Sequence, residues 1–294
     1  MLWVVATLVA VAAQTARNAM QSSLTAALGT LGATQVRFVY GLPFAILFLA
    51  LLTLVAGASV PAPSGPFLAY TLGGAVAQIA GTALMLAAMH ARSFSVATAF
   101  IKTEAVQVAI FGVMILGERL TAIGSMAIVV ATTGVVLTAV KPGARGGAGG
   151  LVPLAQGIAS GACFALAAVG FRGGILALDG VYYLRAATAL VWALAAQAAL
   201  LGAWMALFAR PALAGSLKLW RQSLLAGFFG AFASHFWFLG FSLTAAAHVR
   251  TLALVEVLFA HVVARRVFEQ HATRRELAGM ALVVTGVALL LLGG

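Results

Sequence analysis

The chain has 294 residues, of which 63% are hydrophobic and 8% charged, and its mean hydropathy is +1.10. A soluble domain carries about 25% charged residues, so a soluble enzyme, a disordered protein and a coiled coil are excluded. The single cysteine, Cys163, excludes a disulfide framework and a thiolate metal site. An all-α integral membrane protein remains, and at about 20 apolar residues per span the chain holds about ten transmembrane helices. The net charge of +11 does not indicate nucleic acid, because the basic residues sit between apolar runs, where membrane-helix ends carry them.

In chain order, the first apolar run predicts a helix over 2–20. It resembles a signal h-region but lacks a basic n-region and continues into Gln14-Thr15-Ala16-Arg17-Asn18, so it is read as a retained first span. Further helices are predicted over 33–56, 66–89, 94–116 and 121–139, with Pro61, Pro63 and Pro66 marking the break after the second. The Gly-rich stretch 141–150 follows. It has no preceding strand and no GK[ST] ending, so it is read as a flexible linker and not a phosphate loop. Beyond it, helices are predicted over 152–172, 180–207, 219–243, 247–266 and 275–292. Apolar runs of this length exceed the ~10 residues of a barrel strand and lack its alternation.

The linker divides the chain into a first repeat, 1–140, and a second, 151–294. An offset of 152 places Glu104 on Glu256, Thr121 on Thr273 and Thr133-Gly134-Val135 on Thr285-Gly286-Val287. The glutamate match carries the most weight, because the chain has only six acidic residues. Arg37 and Arg185 also recur at the start of the second segment of each half, at a slightly different spacing. Five helices per half is an odd number, so the second half enters the membrane from the opposite side, as an inverted repeat around a central cavity. An even total puts both termini on one face.

The fourth helix is followed by Gly117-Glu118-Arg119-Leu120-Thr121, with a degraded counterpart in Phe268-Glu269-Gln270-His271-Ala272-Thr273. This G-E-R-L-T pattern, with an arginine starting the second helix of each half, resembles the EamA-type members of the drug/metabolite transporter superfamily, and among them the YddG-type aromatic amino-acid exporters. The resemblance implies ten helices, a central cavity, and export of amino acids or other metabolites across the cell (inner) membrane. The motif itself reads as a loop and helix start, not as a substrate site.

Polar side chains inside a membrane are costly, and they mark cavities or helix contacts. Gln14, Asn18 and Gln21 share one face of the first helix. Gln78 and Thr82 are four apart on the third, and the offset carries Thr82 to Ser234, beside His235. Each of these could face a wet wall or tie two helices together. Trp237, Trp192, Tyr40 and Phe164 are deep enough to stack on an aromatic substrate, or they simply pack. The candidate substrate residues are therefore Gln14, Asn18, Tyr40, Gln78, Thr82, Phe164, Ser234, His235 and Trp237.

Glu104 and Glu256 lie roughly 14 Å inside helices four and nine. At that depth a carboxyl is held neutral unless a cation is near. Lys102, two residues from Glu104, points to another helix face, so a local pair is not expected. Either glutamate could titrate during a transport cycle or meet a substrate ammonium, or it could hold two helices by a hydrogen bond. Cofactor, metal and catalytic grouping are not expected. The expected function is alternating-access export of small amphipathic metabolites, aromatic or neutral amino acids above all, by a monomer in the bilayer. A multidrug or lipophilic-cation exporter of the same architecture is the alternative, and an intramembrane enzyme a more distant one.

Overall fold

The computed structural model describes residues 1–91, 101–139, 151–259 and 273–293. Among them every regular element is helical: α1 (Leu2–Ala56), α2 (Gly65–Ala91), α3 (Glu104–Leu116), α4 (Ala122–Ala139), α5 (Leu151–Leu176), α6 (Tyr182–Phe208), α7 (Arg210–Lys218), α8 (Trp220–Leu243), α9 (Ala246–Leu252) and α10 (Arg274–Gly293). Among the described residues, six stretches are long and apolar enough to cross a membrane: Leu31–Ala56, Gly65–Met85, Ala155–Leu176, Tyr182–Phe208, Trp220–Leu243 and Arg274–Gly293. Their surface carries exposed large apolar side chains such as Leu54, Val55, Leu207 and Leu292. Water would oppose such a surface, whereas acyl chains match it. The protein is therefore a helical membrane protein.

Two boundaries differ from the sequence reading. The stretch 21–32, left between the first two predicted helices, belongs to α1, which turns at Gly29 (φ 65°, ψ 174°). That backbone conformation is open to glycine and strained for other residues. The short helix α7, absent from the expected set, fills the interval between the seventh and eighth predicted segments, with Pro211 in its first turn and Lys218 in its last. The linker 141–150 and the expected helical residues 94–100 and 260–266 lie outside the described residues.

The chain packs as two compact units, and each draws on both halves of the sequence. One comprises Met1–Ile79 and Gly170–Thr244, the other Ala80–Val169 and Ala245–Gly294. In the first unit, α1 packs along α8 and also touches α6 and α7. Glycines allow the close approach: a Cβ on Gly227 would stand 2.6 Å from the Tyr40 carbonyl oxygen, and one on Gly170 would stand 2.9 Å from that of Tyr70. Phe44 and Phe48 meet Phe228 edge-on at 5.4 and 6.2 Å.

The second unit contains the pairing of α4 with α10. Thr121 Oγ1 donates to the Gly293 carbonyl (2.8 Å) at one end, while Gly279 abuts Thr138 at the other, so the helices run antiparallel. Their contact is reciprocal. A Cβ on Gly134 would meet Gly279 O at 2.6 Å and Val283 N at 2.7 Å; one on Gly286 would meet Ala127 O at 2.8 Å and Ala131 N at 2.6 Å. Gly134 and Gly286, Ala127 and Gly279, and Ala131 and Val283 are each related by the offset of 152. Each helix thus presents the offset-related positions to the other.

The G-E-R-L-T stretch does serve as a helix stop and start. Gly117 ends α3 in the left-handed conformation (φ 65°); its N–H donates to Val113 O (3.2 Å) and that of Glu118 to Gly112 O (3.1 Å). Thr121 then caps α4, its Oγ1 accepting the Gly124 N–H at 2.9 Å. The offset partner Thr273 caps α10 in a reciprocal box: its Oγ1 accepts the Glu276 N–H (3.2 Å), and Glu276 Oε2 accepts the Thr273 N–H (2.8 Å).

Candidate functional site

In the first unit, two of the expected polar residues are brought into cross-helix pairs. Trp237 Nε1 donates to Gln14 Oε1 at 3.2 Å, joining α8 to α1. The Trp237 ring is buried and stacks on Phe241 at 6.5 Å. Gln78 Oε1 accepts from Nε2 of Gln197, which is 1% exposed in the middle of α6. Both pairs meet the demand of buried amides and indoles for a partner where water is scarce. Ser234 is buried, and His235 beside it is half-buried, its ring 5.7 Å from those of Phe48 and Phe236. The His235 Nδ1 is buried without a hydrogen-bond partner among the described residues.

Tyr40 is placed differently. Its hydroxyl donates to the carbonyls of Ser216 (3.2 Å) and Leu217 (3.3 Å), the orphan acceptors at the end of α7, and so fastens α1 to that helix. Trp192 is exposed and meets Phe67 edge-on. Thr82 and Phe164 belong to the second unit, and the division falls between Gln78 and Thr82. The Phe164 ring lies over Gly81 of α2, 3.1 Å from where its Cβ would be. Ser160, one turn earlier on α5, donates to the Gly81 carbonyl at 2.8 Å. The side chains of Asn18 and Gln21 lie outside the described residues.

The two glutamates that the sequence places at membrane depth are also in the second unit, each just after an interruption of regular helix. Residues 102–103 form a turn immediately before Glu104, and Ala253–Val255 form a 3-10 turn immediately before Glu256. The interruptions thus occupy equivalent places under the offset of 152. Glu104 pairs with Arg250 (Oε1 to Nε, 2.9 Å), and Glu256 pairs with Lys102. Cations are therefore near both carboxyls, and each comes from the opposite interrupted segment. Lys102 also feels the charges of Glu104 and Arg250, so the four groups form one quartet.

Helix ends favour this arrangement. Glu104 opens α3 and Arg250 closes α9, the signs that the helix dipole prefers at those ends. Neighbouring residues brace the first interruption. Gln107 Nε2 donates to Thr103 Oγ1 (2.9 Å) and to the Ile158 carbonyl of α5 (3.4 Å). Gly161 of α5 lies so close that a Cβ there would stand 3.0 Å from Ile101 O and 3.5 Å from Glu104 N.

Sequence reasoning passed over Gln197 and Arg250 and did not find the partner of Lys102. Gln197 carried the same signal that singled out Gln78, an amide within an apolar run. Arg250 and Lys102 were visible as charges, but their partners come from the other half of the chain, and helical spacing finds only partners three or four residues away. Arg172 was passed over as well: its guanidinium donates to the Phe241 carbonyl within the first unit.

No protein-family profile and no curated protein matches the chain. A solved structure described simply as the crystal structure of a protein matches with a TM-score of 0.73 at 17% identity, over 99% of this chain and 95% of that one. That likeness shows a shared fold.

Proposed function

We propose that the chain is a secondary transporter of the cell (inner) membrane, built from ten spanning helices as two inverted five-helix repeats, that exports small amphipathic metabolites by alternating access. Neutral and aromatic amino acids are the preferred substrates. The observation that carries this reading is the antiparallel α4–α10 contact, whose partners exchange under the offset of 152. Equivalent helices running in opposite directions are what an inverted repeat requires, and exchange of conformation between such repeats supplies inward-open and outward-open states. The paired caps at Thr121 and Thr273 and the paired interruptions before Glu104 and Glu256 support the same relation. The resemblance of the G-E-R-L-T stretch to EamA-type transporters agrees with it.

Both glutamates are balanced by cations, which favours a substrate without net charge over a lipophilic cation. Uptake by proteoliposomes tests the reading. Labelled phenylalanine or tryptophan is expected to enter faster than into empty liposomes, and a tetraphenylphosphonium salt is not. Entry of the cation alone would replace the amino-acid reading with a drug exporter of the same architecture.

A further inference from the structure

We infer that Lys102, Glu104, Arg250 and Glu256 form the site that receives the head group of a zwitterion, the α-ammonium and α-carboxylate of a free amino acid. This rests on the reading of the chain as an amino-acid transporter and assigns the substrate's charged end to the quartet. The argument begins with charge. Two cations and two anions, paired crosswise between two interrupted helices, sum to zero within an apolar bundle. A cationic or an anionic ligand would add an uncompensated charge in a poorly solvating place, at a cost of several kcal/mol. A zwitterion adds none, because its ammonium is met by a glutamate and its carboxylate by arginine or lysine.

The groups have the capacity for such an exchange. A guanidinium has five N–H donors in a fork that fits a carboxylate, and a carboxylate accepts from about four directions, so one ion pair does not exhaust either. The four side chains keep between 16% and 25% of their surface exposed, while the paired atoms Glu104 Oε1 and Arg250 Nε are themselves buried. Glu104 stands at the far end of the 13 residues of α3 from the Gly117 cap, about 20 Å of helix away. The interruption that presents Glu104 is braced by Gln107 and by the close approach of Gly161, so the carboxylate is held in place before a ligand arrives.

The test is counterflow of labelled L-phenylalanine in proteoliposomes of the full chain, at about pH 6 so that the α-amine of the amide analogue is charged. The competitors are L-phenylalanine, L-phenylalaninamide (cationic) and N-acetyl-L-phenylalanine (anionic). The wild type is expected to prefer the zwitterion to either analogue by about tenfold, the scale of one lost charge-assisted hydrogen bond. The double variant E104Q/R250Q removes both charges of a pair at once and leaves no lone charge buried. It is expected to lose about tenfold in phenylalanine counterflow and to rank the three competitors alike. A pair that merely holds helices together would lower the melting temperature and leave the ranking unchanged, and that result would overturn the inference. So would an amide or N-acetyl analogue that competes with the wild type as well as phenylalanine does, a measurement that needs no variant to fold. Failure of the wild type to move any amino acid would be a different outcome, removing the transporter reading and this site together.

Discussion

Adding one methyl group at Gly134 probes the helix contact on which the repeat reading turns. A Cβ there would lie 2.6 Å from the Gly279 carbonyl oxygen, 2.7 Å from Val283 N and 2.9 Å from Leu282 Cβ, where ordinary contact begins at 3.4 Å. Two of those three atoms are backbone and cannot rotate aside, so α4 and α10 must part by most of an ångström. Overpacking of this kind costs about 1–3 kcal/mol, beyond the up to ~1 kcal/mol that alanine gains over glycine within a helix. Gly73 is the control: it lies within α2 with nothing inside 4 Å of its would-be Cβ. In thermal unfolding of the purified protein in detergent, G134A should melt a few degrees below wild type and G73A at or above it. The reciprocal substitution G286A should resemble G134A, since its Cβ would meet Ala131 N at 2.6 Å. If G134A melted as high as G73A, the close antiparallel contact would be wrong.

Two further substitutions test the first unit. Q197L removes the donor to Gln78 Oε1 from a buried site and should cost about 1–2 kcal/mol, while Q78L/Q197L, which removes both amides, should recover part of that loss; a double-mutant cycle on unfolding reads the coupling. G29A places a Cβ on a backbone at φ 65°, ψ 174°, where no neighbour blocks it and the cost is purely conformational, about 1–3 kcal/mol in the same unfolding assay.

Most of the helical architecture is legible in the sequence because each long apolar run has few ways to satisfy its backbone other than as a helix. The predicted 66–89, 121–139, 219–243 and 275–292 correspond to helices beginning and ending within two residues of those positions. What escaped is where polarity and helicity diverge. The stretch 21–32 lies between the predicted apolar runs yet belongs to a helix, and α7 is helical without being apolar. The position of the turn depends on Gly29, a single residue among several small ones.

The offset of 152 was visible from Glu104 and Glu256, and the same two residues mark the interruptions. Their partners were not visible, because Arg250 and Lys102 reach them across the fold. Nor could spacing tell that Tyr40 holds the end of α7, or that the amide of Gln78 meets Gln197. In an apolar helix, periodicity reports which polar residues share a face but not what stands opposite.

The most direct test of the account is trans-stimulation. Proteoliposomes loaded with labelled phenylalanine are diluted into buffer with or without unlabelled phenylalanine, and the rate of label release is compared. A carrier that exposes one site alternately to each side should release label faster when substrate waits outside, because the loaded protein returns more readily than the empty one. Release that is indifferent to external phenylalanine and grows linearly with the internal concentration would point to an open pore and contradict alternating access.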